Sequence, residues 1–139
     1  MLTTTVSVAI AASPAAVWEA LTTPEQIRQW FFGVETETDW TEGSPIVHRG
    51  EYQGRAYEDK GTILRFEPER RLVHSHWSPV SGRPDTPENY QEVTWALAER
   101  DGTTELTVSE TNLPDEQTKK TSEQAWAGAL DGLKRLLER

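Results

Sequence analysis

The chain has 139 residues, with 14 basic against 23 acidic side chains, a formal charge of −9 and no cysteine. That charge opposes the counterion release that drives nucleic-acid binding and repels anionic membrane surfaces, and the absent thiols exclude disulfides, thiolate nucleophiles and cysteine-held zinc. Hydrophobic residues at 35% and six tryptophans argue for a packed globule, and the length fits one domain over residues 1–139.

The pI near 4.8 and mean hydropathy of −0.67 describe a well-solvated surface. The apolar run Val8 to Ala12 has no basic flank and is too short for a signal segment or a membrane span, so a cytoplasmic location is expected, with neither nucleic acid nor membrane as a partner.

From the N-terminus, Thr3 to Ala12 alternates with Val6, Val8 and Ile10 on one face, which predicts a strand. Ser13-Pro14 then reads as an N-cap and first helical position, and Val17, Trp18 and Leu21 form the apolar face of a short helix. Thr23-Pro24-Glu25-Gln26 has the spacing of a capping box and starts a second short helix with Ile27, Trp30 and Phe31 inward.

Between Val34 and Asn112 the signals are about six strands broken by turns at residues 41–45, Gly54, residues 67–70 and Asp101-Gly102. The clearest pair joins Glu92 to Ala98 with Thr103 to Thr111, setting Val93, Trp95 and Leu97 opposite Leu106 and Val108. Residues 78–89, SPVSGRPDTPEN, carry three prolines and cannot continue a ladder; they predict a surface loop suited to act as a lid. Pro114-Asp115 opens a final helix on which Trp126, Leu130, Leu133 and Leu137, broadened by Ala129 and Leu136, make one apolar stripe. Indole carries an N–H that needs a partner when buried, so Trp126 is expected to border a polar or hydrated space.

Two constellations carry candidate chemistry. His74 and His76 point the same way from one strand and suit a metal only with a third ligand such as His48 or an Asp or Glu from a neighbouring strand; spacing fixes none, and two same-face histidines on an exposed strand surface are expected to be solvated, so no metal is assigned. Glu51, Arg55, Glu58, Asp59 and Glu110 fall on predicted strands, where a carboxylate turned into an apolar cavity would acquire a raised pKa and could serve as acid or base. No phosphate loop, nucleophile elbow or Ser-His-Asp order occurs, so no catalytic residue and no cofactor are assigned.

SPAAVWEALTTPEQIRQWF, KGTILRFEPERRLVHSHW (Lys60 to Trp77), VTWALAERDGTTELTVSET (Val93 to Thr111) and the closing helix together resemble the SRPBCC, or START-like, superfamily. The subgroup is the one related to the C-terminal domain of the activator of the heat-shock-protein-ninety ATPase. The resemblance implies an α+β helix-grip fold: a curved seven-stranded antiparallel sheet wrapped around a long C-terminal helix, two short helices after the first strand, and a hydrophobic cavity between. Candidate lining residues are Trp30, Phe32, Trp40, Tyr52, Trp77, Trp95, Leu106, Trp126 and Leu130.

The first expected function is binding of a small hydrophobic or aromatic molecule in that cavity. A cyclase- or dehydratase-like enzyme on the same scaffold stands second, and a chaperone ATPase-activating interaction domain third. A homodimer and a chaperone remain open as partners.

Overall fold

In the computed structural model, residues 1–139 are described except for the side chain of Tyr52, so the cavity role expected of Tyr52 lies outside the described residues. The elements are β1 (Leu2–Ile10), α1 (Pro14–Thr22), α2 (Pro24–Trp30), β2 (Glu35–Thr38), β3 (Pro45–Tyr52), β4 (Arg55–Glu67), β5 (Arg71–His76), β6 (Gln91–Arg100), β7 (Thr103–Leu113) and α3 (Glu116–Leu137). The strands form one antiparallel sheet in the order β1-β7-β6-β5-β4-β3-β2, so the chain meanders from β2 to β7 and β1 closes beside β7. With α3 packed across the concave side, this is the helix-grip fold.

Local chemistry explains the turns and most of the caps. Arg100 pairs with Thr103 across Asp101-Gly102, whose φ values of 53° and 82° both lie in the left-handed region, as a two-residue hairpin loop requires. Gln53-Gly54 repeats that geometry between β3 and β4, at 51° and 80°. The Ser13 hydroxyl accepts from the Ala16 amide at 3.2 Å, and Asp115 Oδ1 accepts from the Thr118 amide at 2.8 Å to start α3. The expected capping box at Thr23 does not form: Thr23 is the N-cap, but its side chain makes no capping bond. Its backbone carbonyl instead accepts from the amides of Gln26 and Ile27.

The core lies between sheet and helices. Ala129, Leu130 and Leu133 of α3 are buried with Ile10, Val17, Leu21, Leu106 and Val108, while Trp126, Leu136 and Leu137 pack on its edge. The far end of α3 is tied to β1, where Lys134 Nζ donates to the Ala9 carbonyl at 2.7 Å and the Ala11 amide donates to Glu138 Oε2 at 2.8 Å. Among the described residues no helix is long and apolar enough to cross a membrane.

The loop of residues 78–89 holds two 3₁₀ turns, Pro79–Ser81 and Pro87–Asn89, and its second half is pinned to the sheet. Lys60 pairs with Asp85, whose Oδ1 accepts from the Tyr90 hydroxyl at 2.6 Å, and Asn112 Nδ2 donates to the carbonyls of Glu88 and Tyr90. The segment is thus a fastened wall along that half, in place of the lid expected from its composition.

Candidate functional site

Two cross-strand rows of three residues each form the polar part of the sheet's inner face. Register aligns Thr36, His48 and Asp59 across β2, β3 and β4, and His74, Val93 and Glu110 across β5, β6 and β7. The histidine-bearing parity of β5 therefore faces inward, which reverses the solvated surface expected for it. His74 is buried at 5% exposure, and the three imidazoles approach with ring centroids 5.8 Å apart for His48–His74 and 6.4 Å for His48–His76. Among the described residues no three acidic, histidine or cysteine side chains are arranged to hold a metal ion.

Of the four tryptophans lining this space, Trp95 of β6 and Trp30 at the C-terminal end of α2 interlock with Trp126 of α3. Trp95 meets Trp30 and Trp126 edge-on, at centroid distances of 5.8 and 5.3 Å, while Phe31 stacks on Trp126 at 5.9 Å and 8°. Trp30 Nε1 donates to the Ala20 carbonyl at 2.8 Å, and Trp126 Nε1 donates to Glu110 Oε1 at 3.0 Å. The polar neighbour expected for Trp126 is thus a carboxylate on β7.

These rings enclose a chamber of about 70 Å³, lined among others by Trp40, Leu72 and the three histidines. That is roughly half of the ~150 Å³ apolar void able to hold benzene. Beyond it lies an outer cleft of about 670 Å³ between the first half of the 78–89 loop and the start of α3. Tyr57, Asp59 and His76 line both spaces and form the neck between them. Tyr57 finds room because Gly50, its partner across β3 and β4, has no side chain: a Cβ there would lie 2.6 Å from the Tyr57 hydroxyl.

Of the residues expected to line the cavity, Trp30, Trp40, Trp95 and Trp126 are placed in the chamber wall. Four others are not. Phe32 takes a left-handed φ of 52° at the exit of α2 and stands 65% exposed. Trp77 has the opposite strand parity to His76; its Nε1 donates to the Arg83 carbonyl and Lys60 lies over its ring. Leu106 and Leu130 are sealed in the core at 0% and 1% exposure, away from the chamber. Phe31, Tyr57 and Ile46 also line the chamber and are not among the residues expected there; the parity that Tyr57 shares with Asp59 and the buried Ile63 is the signal in the sequence.

The neck is electrostatically uneven. His76 Nε2 donates to Asp59 Oδ2 at 2.9 Å, with the two side chains only 23% and 13% exposed. Burial, the largest influence, draws the His76 pKa down, but the hydrogen bond and charge of Asp59, the charge of Glu110 and the nearby Gln91 side chain together leave it above its ordinary value. Gln91 does not reach hydrogen-bond geometry at Nδ1. Burial, helped by the other imidazoles, holds His48 well below the usual range, and burial holds His74 down to about 4 against an opposing hydrogen bond to the Ser75 carbonyl. Tyr57 is pushed up by burial and by Asp59. The imidazole whose pKa is raised therefore rests on Asp59 and lines both spaces, beside two imidazoles whose pKa is lowered and which line the chamber alone.

The structure is similar to that of ChR145 from Cytophaga hutchinsonii, with 45% identity, coverage of 99% of this chain and 94% of that one, and a TM-score of 0.85. CalU16 from Micromonospora echinospora is 30% identical over 97% of this chain and 75% of its own, with a TM-score of 0.76. The Aha1 dimer from Colwellia psychrerythraea shares the fold at 20% identity, a TM-score of 0.79, and coverage of 99% and 97%. No curated protein matches the sequence. The family described as Activator of Hsp90 ATPase homolog 1-like protein matches residues 11–138, and the chain belongs to that family.

Proposed function

We propose that the protein binds a small, largely aromatic molecule, with the ligand's body in the outer cleft and its inner edge directed through the neck at the tryptophan chamber. The observation that carries this reading is that Tyr57, Asp59 and His76 line both spaces, one walled by four tryptophans and the other large enough for a small molecule. Entry of a whole ring into the chamber requires its walls to move apart, because 70 Å³ is too small for it. Apolar burial and edge-to-face contact with indole supply the affinity.

Native mass spectrometry of freshly purified protein, followed by a thermal-shift screen of aromatic compounds, tests this. A co-purifying mass or a saturable rise in Tm is expected, since a ligand selective for the folded state stabilises it. An unchanged Tm across the library, with no bound mass, would overturn the reading.

A second reading, an enzyme in the same cleft, is favoured by the Asp59–His76 pair: a carboxylate that orients an imidazole is the arrangement used for general acid–base work. Turnover of a ligand found by the screen, lost in His76→Phe while binding survives, would separate it from simple binding.

A further inference from the structure

α3 is continuous in its backbone hydrogen bonding but divided in its packing. Its buried residues, Ala129, Leu130 and Leu133, all lie in the second half. In the first half the inward stripe is Thr118, Thr121, Ser122 and Ala125, small side chains that border the open outer cleft and bury little apolar surface. A helix of about a dozen residues is marginal in water without tertiary support, and Thr and Ser lower its intrinsic stability further. The support comes at the end of this half, at Trp126. Its Nε1 is bonded to Glu110, and its ring stacks on Phe31 and meets Trp95 edge-on.

Two glycines mark the change. Gly132 answers to crowding, since a Cβ there would lie 3.0 Å from the Trp30 carbonyl. Gly128 does not: the nearest atom to a Cβ would be in the Phe32 ring at 3.6 Å, an ordinary contact. A glycine in a helix interior weakens the helix. This one stands next to Ala129, the first buried residue of α3, so the weak point falls where the unsupported half meets the anchored one. We infer that residues 116–128 form a separate opening unit of α3, which unwinds between Asp115 and Gly128 and draws Trp126 out of the chamber. Unwinding lengthens the segment, so it bows outward with both ends in place. Trp126 lines the chamber and Ala125, beside it, lines the cleft, so opening removes a wall of each. Resting on the binding reading above, this names the wall that moves when a ring enters.

Native-state hydrogen exchange of the intact protein, resolved by NMR and corrected for intrinsic rates, tests this without a ligand. The amides of residues 119–127 should share one opening free energy and exchange at least about tenfold faster than those of residues 130–136. The Trp126 indole N–H should exchange in step with them, because opening must break its bond to Glu110; the Trp30 indole N–H, bonded to the Ala20 carbonyl, should stay slow. Gly128→Ala should slow the 119–127 group by about two- to fivefold, the Gly-to-Ala difference expressed as an equilibrium constant. Protection that rises residue by residue from 119 would mean ordinary end fraying and would overturn the inference. So would a Trp126 N–H as slow as that of Trp30, or an unchanged rate of the 119–127 group in Gly128→Ala, which would end the opening short of Gly128. An opening unit in a protein that binds no aromatic compound would leave this inference standing and remove the binding reading; a bound compound with no such unit would do the reverse.

Discussion

Trp126 Nε1 of α3 donates to Glu110 Oε1 of β7 at 3.0 Å, and Glu110 is only 7% exposed. The bond closes one side of the aromatic chamber and also keeps a carboxylate near His76. Glu110→Ala should cost about 1–3 kcal/mol, because it leaves a buried indole N–H without an acceptor. Glu110→Gln, which retains a carbonyl oxygen, should lose less than half as much in urea unfolding. Equal losses in the two variants would show that the bond to Trp126 is not what Glu110 contributes.

Three glycines separate crowding from conformational cost. A Cβ on Gly61 would lie 1.8 Å from the Ser75 carbonyl, a backbone atom that cannot swing aside, so Gly61→Ala should destabilise by more than about 2 kcal/mol. On α3, Gly132→Ala would bring a methyl to 3.0 Å from the Trp30 carbonyl and should also destabilise. Gly128→Ala meets nothing nearer than the Phe32 ring at 3.6 Å, and should stabilise the helix by about 0.5–1 kcal/mol. Thermal midpoints of the three variants check the ranking; a destabilised Gly128→Ala would contradict the packing at that position.

The fold was legible where local chemistry decides it. Asp101-Gly102 needs two left-handed residues and so announces a hairpin, and Ser13-Pro14 and Asp115 announce helix starts. The site was less legible because it depends on which face of the sheet is concave. Alternation shows that His74 and His76 share a face; only the pairing of His74 with Ile63 and Val93, next to a register shift between Ile63 and Arg65, turns that face inward. Phe32 shows the same limit at a helix exit, where a single positive φ carries a residue from the expected lining to solvent.

The histidine cluster sets a pH dependence whose sign follows from the shifts. His74 titrates near 4 in the fold against 6.5 unfolded, so its neutral form is favoured by folding. The stability it supplies is complete above about pH 6.5 and is lost as pH falls toward 4, amounting to about 2 kcal/mol at pH 5. His48, also held low, adds a loss of the same sign. His76, held high by Asp59, acts oppositely: its contribution is present below 6.5 and lost as pH rises through its raised value. Urea midpoints at about pH 7.5 and pH 5 should therefore fall in the native protein, and fall less in His74→Phe. An identical drop in that variant would mean that His74 is not a source of the acid sensitivity.

Trp95 is 4% exposed and touches Trp30 and Trp126 edge-on, so Trp95→Ala removes the centre of the aromatic cluster. The truncation should cost about 3–5 kcal/mol. It also merges the vacated volume with the existing 70 Å³ chamber, giving a void lined largely by apolar rings. Such voids stay dry and accept apolar guests. Added indole should therefore raise the Tm of Trp95→Ala in a saturable way and by more than it raises that of the native protein. An equal response in both proteins would show that the chamber collapses when Trp95 is removed, and that its walls are held by Trp95 rather than by the sheet and α3.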